Sequence, residues 1–442
     1  MLKNMKLVAD LHLHSKYSRA VSKNMTLPIM AEMAKIKGID LLTTSDFTHP
    51  LWAKELEHQL EEVKNGVYAV KGQNDQNHVQ YLLGTEISCI YSQGGKGRRI
   101  HTLVFAPNLS VVLKINQALH DRGCNLTSDG RPIIGLSMLE LLEILFNIDP
   151  NIIVIPAHVW TPWFGLLGSA SGFDSLRECC GDYADKIYAV ETGLSSDPAM
   201  NWRIKEFDSR SIVSFSDAHS PDKLGRELTV FESDKGEQFT YLDFVKTLQK
   251  QGDWHITHTI EFYPEEGKYH IDGHVKCGVR QMPEQTGVKG QTCHVCGKSL
   301  TLGVLGRVEQ LASQNIKTVA KTDKNGVKFY YPENNKYPPY AMLVPLKEIL
   351  SEVLQKGVGT KAVATEYKKL IDNYGSELKI LLQVSIDKLA NIGGDKLSQA
   401  ITKVRSGDIY VNPGYDGVFG TVQIWGQDEE PAQKSHEQIG LF

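Results

Sequence analysis

Charge of one sign, long hydrophobic runs and pairable cysteines are all scarce in this 442-residue sequence, and each scarcity removes a class of protein. Lysine and arginine number 48 against 52 aspartates and glutamates, a formal net charge of −4. No global field therefore points to nucleic acid, and any such surface must be a local patch. No apolar stretch reaches the roughly 18 residues of a membrane helix, and MLKNMKLVAD lacks the apolar core and cleavage site of a signal peptide. A cytoplasmic, nucleoid-associated protein is expected. The cysteines, Cys89, Cys124, Cys179, Cys180, Cys277, Cys293 and Cys296, are odd in number and cluster only at the end, which suits a reducing compartment and a metal site rather than disulfides. Hydrophobic residues at 41% and charged residues at 23% exclude disordered and collagen-like chains.

What is there begins with ADLHLHS, Ala9 to Ser15, an apolar run that ends on alternating histidines. Side chains at i and i+2 share a face of a strand, so His12 and His14 point one way while Leu11 and Leu13 turn into packing. Two imidazoles side by side can grip one metal. Such a pair alone is more often two half-exposed strand residues than a ligand set; repetition is what gives it meaning. Apolar strands bearing His, Asp or Glu recur at LLTTSDFTHP, YLLGTEIS, RRIHTLVFA, NIIVIPAHVW and IVSFSDAHSP. Ligands at the C-terminal ends of successive strands are what a β/α barrel site requires.

Over the first 260 or so residues short β-branched strands alternate with helical stretches, a pattern for a parallel barrel or doubly wound sheet. A helix is predicted from Pro28 to Lys37, closed by Gly38, a charged one from Trp52 to Lys64, and a third from Ser137 to Phe146. The strand ends supply His12, His14, Asp46, His49, Glu86, His101, His158, Asp217 and His219, more ligands than one ion can take. Two or three divalent ions would use them, with Glu86 and Asp217 as natural bridges. KIYAVETG is a further strand and carries Glu191. Arg98 and Arg99, in GGKGRR, can clamp a phosphate or serve as a turn's charge pair.

The HxH, the Asp with a following His, the isolated Glu, two single His and the final DxH, in this order, resemble the polymerase and histidinol phosphatase (PHP) superfamily. The resemblance covers roughly Met5 to His258. It implies a distorted seven-stranded β/α barrel and hydrolysis of a phosphoester at a trinuclear site of Zn, Fe, Mn or Mg. By that likeness His12, His14, Glu86 and Asp217 would hold one ion and Glu86, His101 and His158 a second, while Asp46, His49 and His219 contribute to a third. Clustered cations activate a bridging water, neutralise phosphate oxygens and stabilise the leaving oxygen, and Asp217 would orient the nucleophile.

Past residue 260 the chain turns polar and glycine-rich. Cys293 and Cys296 form one knuckle and His274 with Cys277 another, a Cys3His set with structural-zinc spacing; His270 can stand in for His274. Beyond it helical segments dominate. SIDKLANIGGDKLSQAITKVRSGD looks like a helix-hairpin-helix, with Lys396, Lys403 and Arg405 close to a glycine turn that can meet a DNA phosphate, although such turns are also common packing.

The whole order, metal barrel, knuckles opening at GKYHIDGH, LGRVEQLA and the closing NPGYDGVFG, resembles the endonuclease Q family of DNA repair nucleases; archaeal members carry a cysteine where His274 stands. The resemblance implies cleavage 5′ to hypoxanthine, uracil, xanthine or an abasic site. An extruded base needs an apolar pocket, expected under Trp160, Trp163 and Phe164 in the Trp- and Gly-rich segment up to Phe173. The expected division is a barrel over 1–260, a zinc module over 261–305, a helical DNA-binding domain over 306–425 and a tail over 426–442. In that tail QIGLF is similar to the pentapeptide with which bacterial proteins bind the β sliding clamp, with Gln438, Ile439, Leu441 and Phe442 as contacts. The alternative is a PHP phosphatase acting on a small phosphomonoester, which the first 260 residues permit and the remainder does not require.

Overall fold

The strand Met5–Asp10 pairs in parallel with Leu41–Thr43, which pairs in parallel with Gln80–Gln93. The first crossover is the helix Leu27–Lys37, entered through Thr26 and Pro28 and stopped by Gly38, whose φ of 86° no side-chain-bearing residue adopts cheaply. A computed structural model describes residues 5–72, 79–236 and 238–426. The clamp-like peptide, Gln438 to Phe442, lies outside the described residues.

Thirteen described strands join one mixed sheet of an α/β fold. Gln80–Gln93 and Lys96–Ala106 form a long antiparallel hairpin turning at Gly94 and Gly95, and Lys96–Ala106 pairs antiparallel with Ile153–Pro156. The parallel alternation is thus broken here, because the turn read at GGKGRR returns the chain directly, without a helical crossover. Ala189–Glu191 and Ser211–Val213 form a parallel pair. Leu7, Ala9, Leu11, Leu41, Leu82, Leu103, Ile155 and Val213, drawn from successive strands, pack in one apolar cluster. The polar residues that follow those strands meet one another.

The helix Met138–Ile148 begins where the sequence indicated, with Ser137 and Glu140 forming a reciprocal cap. The charged helix ends earlier than expected: Pro50–Gln59 is helical, and Leu60–Lys64 is a strand paired with Val67–Val70. The polar stretch before Met138–Ile148 holds a further helix, Leu109–Asp121, capped by Asn108.

The sheet also crosses the boundary expected at residue 260. Trp254–Glu261 pairs with Leu228–Ser233 on one side and with Tyr340–Met342 on the other, and Lys328–Pro332 and Thr318–Thr322 extend the sheet further. The segment after 306 is therefore not purely helical. Its helices, Leu346–Leu354, Lys361–Tyr374, Glu377–Leu382 and a hairpin over Ile386–Ser406 broken at Gly394, pack beside these strands. Among the described residues no helix is long and apolar enough to cross a membrane.

Candidate metal centre

Glu86 is the hub of the polar strand ends. One carboxylate oxygen lies 2.7 Å from His101 Nδ1 and 3.2 Å from His158 Nε2; the other lies 3.2 Å from His14 Nε2 and 3.6 Å from His12 Nε2. Asp217 Oδ1 stands opposite, 3.5 Å from His12 Nε2 and 3.2 Å from His14 Nε2. The ring of His219 packs 4.6 Å from that of His14. Three groups have their ligand atoms within 4.8 Å of one another: His12, His14 and Glu86; Glu86, His101 and His158; His14, Asp217 and His219.

The backbone is bent to bring them there. Asp46, His158 and Asp217 have φ of 46°, 31° and 47°, a left-handed region that costs a residue with a side chain about 1–3 kcal/mol and persists only where surroundings impose it. At Gly193 a Cβ would fall 2.3 Å from that of His158, so only glycine leaves room for this ligand.

A second layer fixes the imidazoles. Glu191, fully buried, accepts from His12 Nδ1 at 2.9 Å and from the His158 backbone N–H at 2.7 Å. Asp46 accepts from Ser15 N at 2.6 Å and Ser18 Oγ at 2.8 Å and lies 3.3 Å from His14 Nδ1. It therefore buttresses His14 rather than joining a ligand group, and His49, stacked 4.4 Å from Tyr17, joins none among the described residues. Arg131 donates to Glu86 at 3.1 Å from a loop. The sequence marks Glu191 on a strand end, the same signal Glu86 gives; for Arg131 it offers no signal, because only tertiary folding brings that loop in.

Burial opposes ionisation of Glu86, but the charges of His101, Arg131 and His12 outweigh it and hold the carboxyl well below its ordinary range. Asp217 is likewise held far down against burial, by His12 and His14, and those imidazoles are in turn drawn well up by the carboxylates despite burial. His12 Nε2, His14 Nε2 and Asp217 Oδ1 are buried without a hydrogen-bond partner. Ionised carboxylates facing unpaired imidazole nitrogens are what a divalent cation satisfies, so the residues fit divalent metals.

A cleft of about 450 Å³ opens over this centre, lined by His101, His158, Asp217 and His219 with Arg131, Trp163 and Phe164. Trp163 is 39% exposed, and the Phe164 ring packs tilted against His101 with centroids 4.4 Å apart. Trp160 does not belong to the cleft: it is fully buried, its indole N–H donating to Asn201 at 2.8 Å. Arg98 is no phosphate clamp either. Its guanidinium lies 3.9 Å over Phe173 and donates to the Gly172 carbonyl, tying hairpin to loop, whereas Arg99 is exposed beside Phe164.

The second metal group is His274, Cys277, Cys293 and Cys296, with His274 Nδ1 at 3.6 Å from Cys296 Sγ. Desolvation would raise the Cys293 thiol, but backbone N–H groups of Cys296 and Val295 outweigh it and bring it down to about 6, towards the thiolate that binds metal. His270 is buried elsewhere and is not in the group. In the hairpin, Arg405 is 2% exposed and donates to the carbonyls of Leu381, Ile380, Val384 and Asn325. A guanidinium so committed cannot reach a phosphate, which corrects the expectation for Arg405. Lys403 pairs with Asp408 at 3.0 Å, and Lys396 lies over Trp425 at 5.5 Å.

Residues 345–408 match the family model described as the MJ0043 C-terminal domain. The protein MJ0043 of Methanocaldococcus jannaschii is 35% identical over 281 residues, 62% of this chain, which spans about a third (32%) of that protein's length. YqxK of Bacillus subtilis is 29% identical over 95% of this chain and 99% of its own. The crystal structure of the lesion-specific endonuclease PfuEndoQ from Pyrococcus furiosus superposes with a TM-score of 0.78 at 32% identity, covering 95% of both chains. The chain belongs to the endonuclease Q family. A second endonuclease Q structure, a complex with a 27-mer duplex carrying an abasic lesion at the active site, matches equally, with TM-score 0.78 over 95% of this chain. Membership of the endonuclease Q family makes the chain an enzyme that hydrolyses phosphodiester bonds, and its strand-end His, Asp and Glu residues form groups that could hold metal ions.

Proposed function

We propose that this protein is a DNA repair endonuclease that cuts the phosphodiester 5′ to a deaminated base (hypoxanthine, uracil, xanthine) or an abasic site. The observation that carries the reading is the ligand cluster around Glu86 beneath a cleft rimmed by Trp163 and Phe164, in a chain alike from end to end to a lesion-specific endonuclease. Met5–Asp10, Leu41–Thr43, Gln80–Gln93, Lys96–Ala106, Ile153–Pro156, Ala189–Glu191 and Ser211–Val213 would be the seven strands of a distorted barrel, a reading that the bridge between Leu13 and Ala218 supports.

His12, His14, Glu86, Asp217, His101, His158 and His219 would hold two or three ions, with Asp46 fixing His14 from behind. When bound, such ions supply an activated water and neutralise phosphate charge. Asp217 would accept the nucleophile's proton and align it, Glu86 would hold the two halves of the ligand set together, and Trp163 and Phe164 would flank the extruded nucleotide. Arg99 beside Phe164 and Lys396 and Lys403 on the hairpin would meet backbone phosphates outside the cleft. His274, Cys277, Cys293 and Cys296 would hold one structural zinc.

Incubation with Mg²⁺ or Mn²⁺ and a uracil- or abasic-site oligonucleotide, beside a phosphomonoester, tests the reading. Cleavage 5′ to the lesion is expected, lost in Asp217→Ala with DNA binding retained; turnover of the monoester alone would favour a small-molecule phosphatase. The QIGLF peptide adds a proposed partner, the β sliding clamp, at micromolar affinity. Deleting Gln438 to Phe442 should abolish clamp binding and spare cleavage of short oligonucleotides.

A further inference from the structure

The loop Pro413 to Gly420 carries none of the residues assigned above, yet it is braced from several sides. Gly414 N donates to Glu265 O at 2.8 Å, Gly417 N to Lys268 O at 3.0 Å and Gly420 N to Glu266 O at 2.9 Å. A Cβ on Gly414 or Gly420 would fall 2.3 or 2.1 Å from a backbone oxygen, so the two segments touch through bare backbone. Asp416, at φ 42°, accepts from Val275 N at 2.7 Å and from the Thr301 hydroxyl, which anchors the loop to the chain between His274 and Cys277 and again just past Cys296.

This bracing holds out an apolar tip. Phe419 is 63% exposed and Val418 40%. A single exposed ring is ordinary; its surroundings are what distinguish this one. Lys268 Nζ lies 4.5 Å from the Phe419 ring centre and the Arg280 guanidinium 5.0 Å from that of Tyr415. Next along the chain from Lys268, Tyr269 meets Trp163 at 5.1 Å, and Trp163 lines the cleft over the metal centre. The adjoining residues Lys268 and Tyr269 therefore tie the ring of Phe419 to the Trp163 wall of the cleft.

We propose that Phe419 is a wedge that enters the DNA duplex and occupies the stacking place vacated when a nucleotide turns into the cleft, with Lys268 beside it for the adjoining phosphate. The proposal rests on the lesion-nuclease reading above. Extrusion leaves a gap in the stack, and a rigidly held apolar ring fills it without losing freedom of its own. Cations within reach of the same ring suit a partner that alternates aromatic faces with anionic phosphates.

The test uses full-length protein and one uracil presented in a duplex and in a single strand, where little stacking opposes extrusion. Stacking on an aromatic ring is worth enough that Phe419→Ala should lower the ratio of duplex to single-strand cleavage about tenfold or more, with Phe419→Trp restoring it. Equal losses on both substrates, or an unchanged ratio, would overturn the wedge. A second readout does not depend on cleavage: 2-aminopurine beside the lesion should brighten when Asp217→Ala protein binds the duplex, and the further change Phe419→Ala should remove that rise. A protein that cuts neither substrate would defeat the nuclease reading alone, since the fluorescence still decides the wedge either way. An unchanged Tm for Phe419→Ala confirms that the loop survives.

Discussion

Glu191 shows how much of a metal centre is built by residues that touch no metal. Its carboxylate is fully buried, accepts His12 Nδ1 at 2.9 Å and holds the His158 backbone at 2.7 Å, so one side chain sets both the tautomer of one ligand and the position of another. Glu191→Gln keeps the shape and removes the charge. Outer-layer changes of this kind typically cost about 10–100-fold in metal affinity or activity. Cleavage measured against metal concentration should therefore shift to higher metal and recover substantially at saturation; a curve that overlays wild type would remove Glu191 from this role. The ligands themselves were legible because each lies on or just past an apolar strand, and Glu191 carried the same mark. Arg131 and the buttressing serines of Asp46 were not, since loops reach the centre only through tertiary folding. Trp160 misled for the opposite reason: its composition matched its neighbours Trp163 and Phe164, but burial depends on which face of the segment meets Asn201.

Among the elements, the hairpin Ile386–Ser406 was visible in its two glycines, and Gly394 does break the helix, at φ 83° and ψ 168°. Its chemistry was not visible. Arg405 reads in sequence as a DNA contact and in the structure as a staple, its guanidinium shared among carbonyls at the end of Glu377–Leu382, of Val384 just beyond it and of Asn325 in a loop. Arg405→Ala would leave several buried carbonyls unpaired, each worth about 1–3 kcal/mol, so Tm should fall by several degrees. DNA affinity per folded molecule should not change; a variant with wild-type Tm and weakened DNA binding would reinstate the phosphate role. The missed strand Leu60–Lys64 has a related cause. LEEVK continues the charge pattern of the helix before it, and pairing with Val67–Val70 overrides that local preference.

At the scale of the whole molecule, Trp254–Glu261 is the seam, since its two edges belong to the two parts of the chain. Beside it lie buried acids. Burial pushes Glu261 up to about 8, against hydrogen bonds from Ser214 and Thr259 that favour the ionised form, and pushes Glu265 to about 7. Glu227 is raised well above its ordinary value by burial and then by the neighbouring Glu261. A carboxyl whose folded pKa exceeds the unfolded 4.5 binds more protons in the native state between those values. Its contribution to stability is therefore complete below about 4.5 and lost as pH rises through the folded pKa, at a limiting slope of about 1.4 kcal/mol per pH unit for each such group. Carboxyls held low, such as Glu86 and Asp217, lose their contribution only in acid, below the window in question. With the metal centre saturated, so that His12 and His14 do not titrate, Tm should decline steadily from about pH 5 to pH 9. Glu261→Gln, which keeps the hydrogen-bonding shape and cannot ionise, should flatten that decline and raise Tm at the alkaline end. If wild-type Tm holds level across this range, the acids of the seam ionise against a compensating cation, and Glu261→Gln would then lower stability instead of raising it.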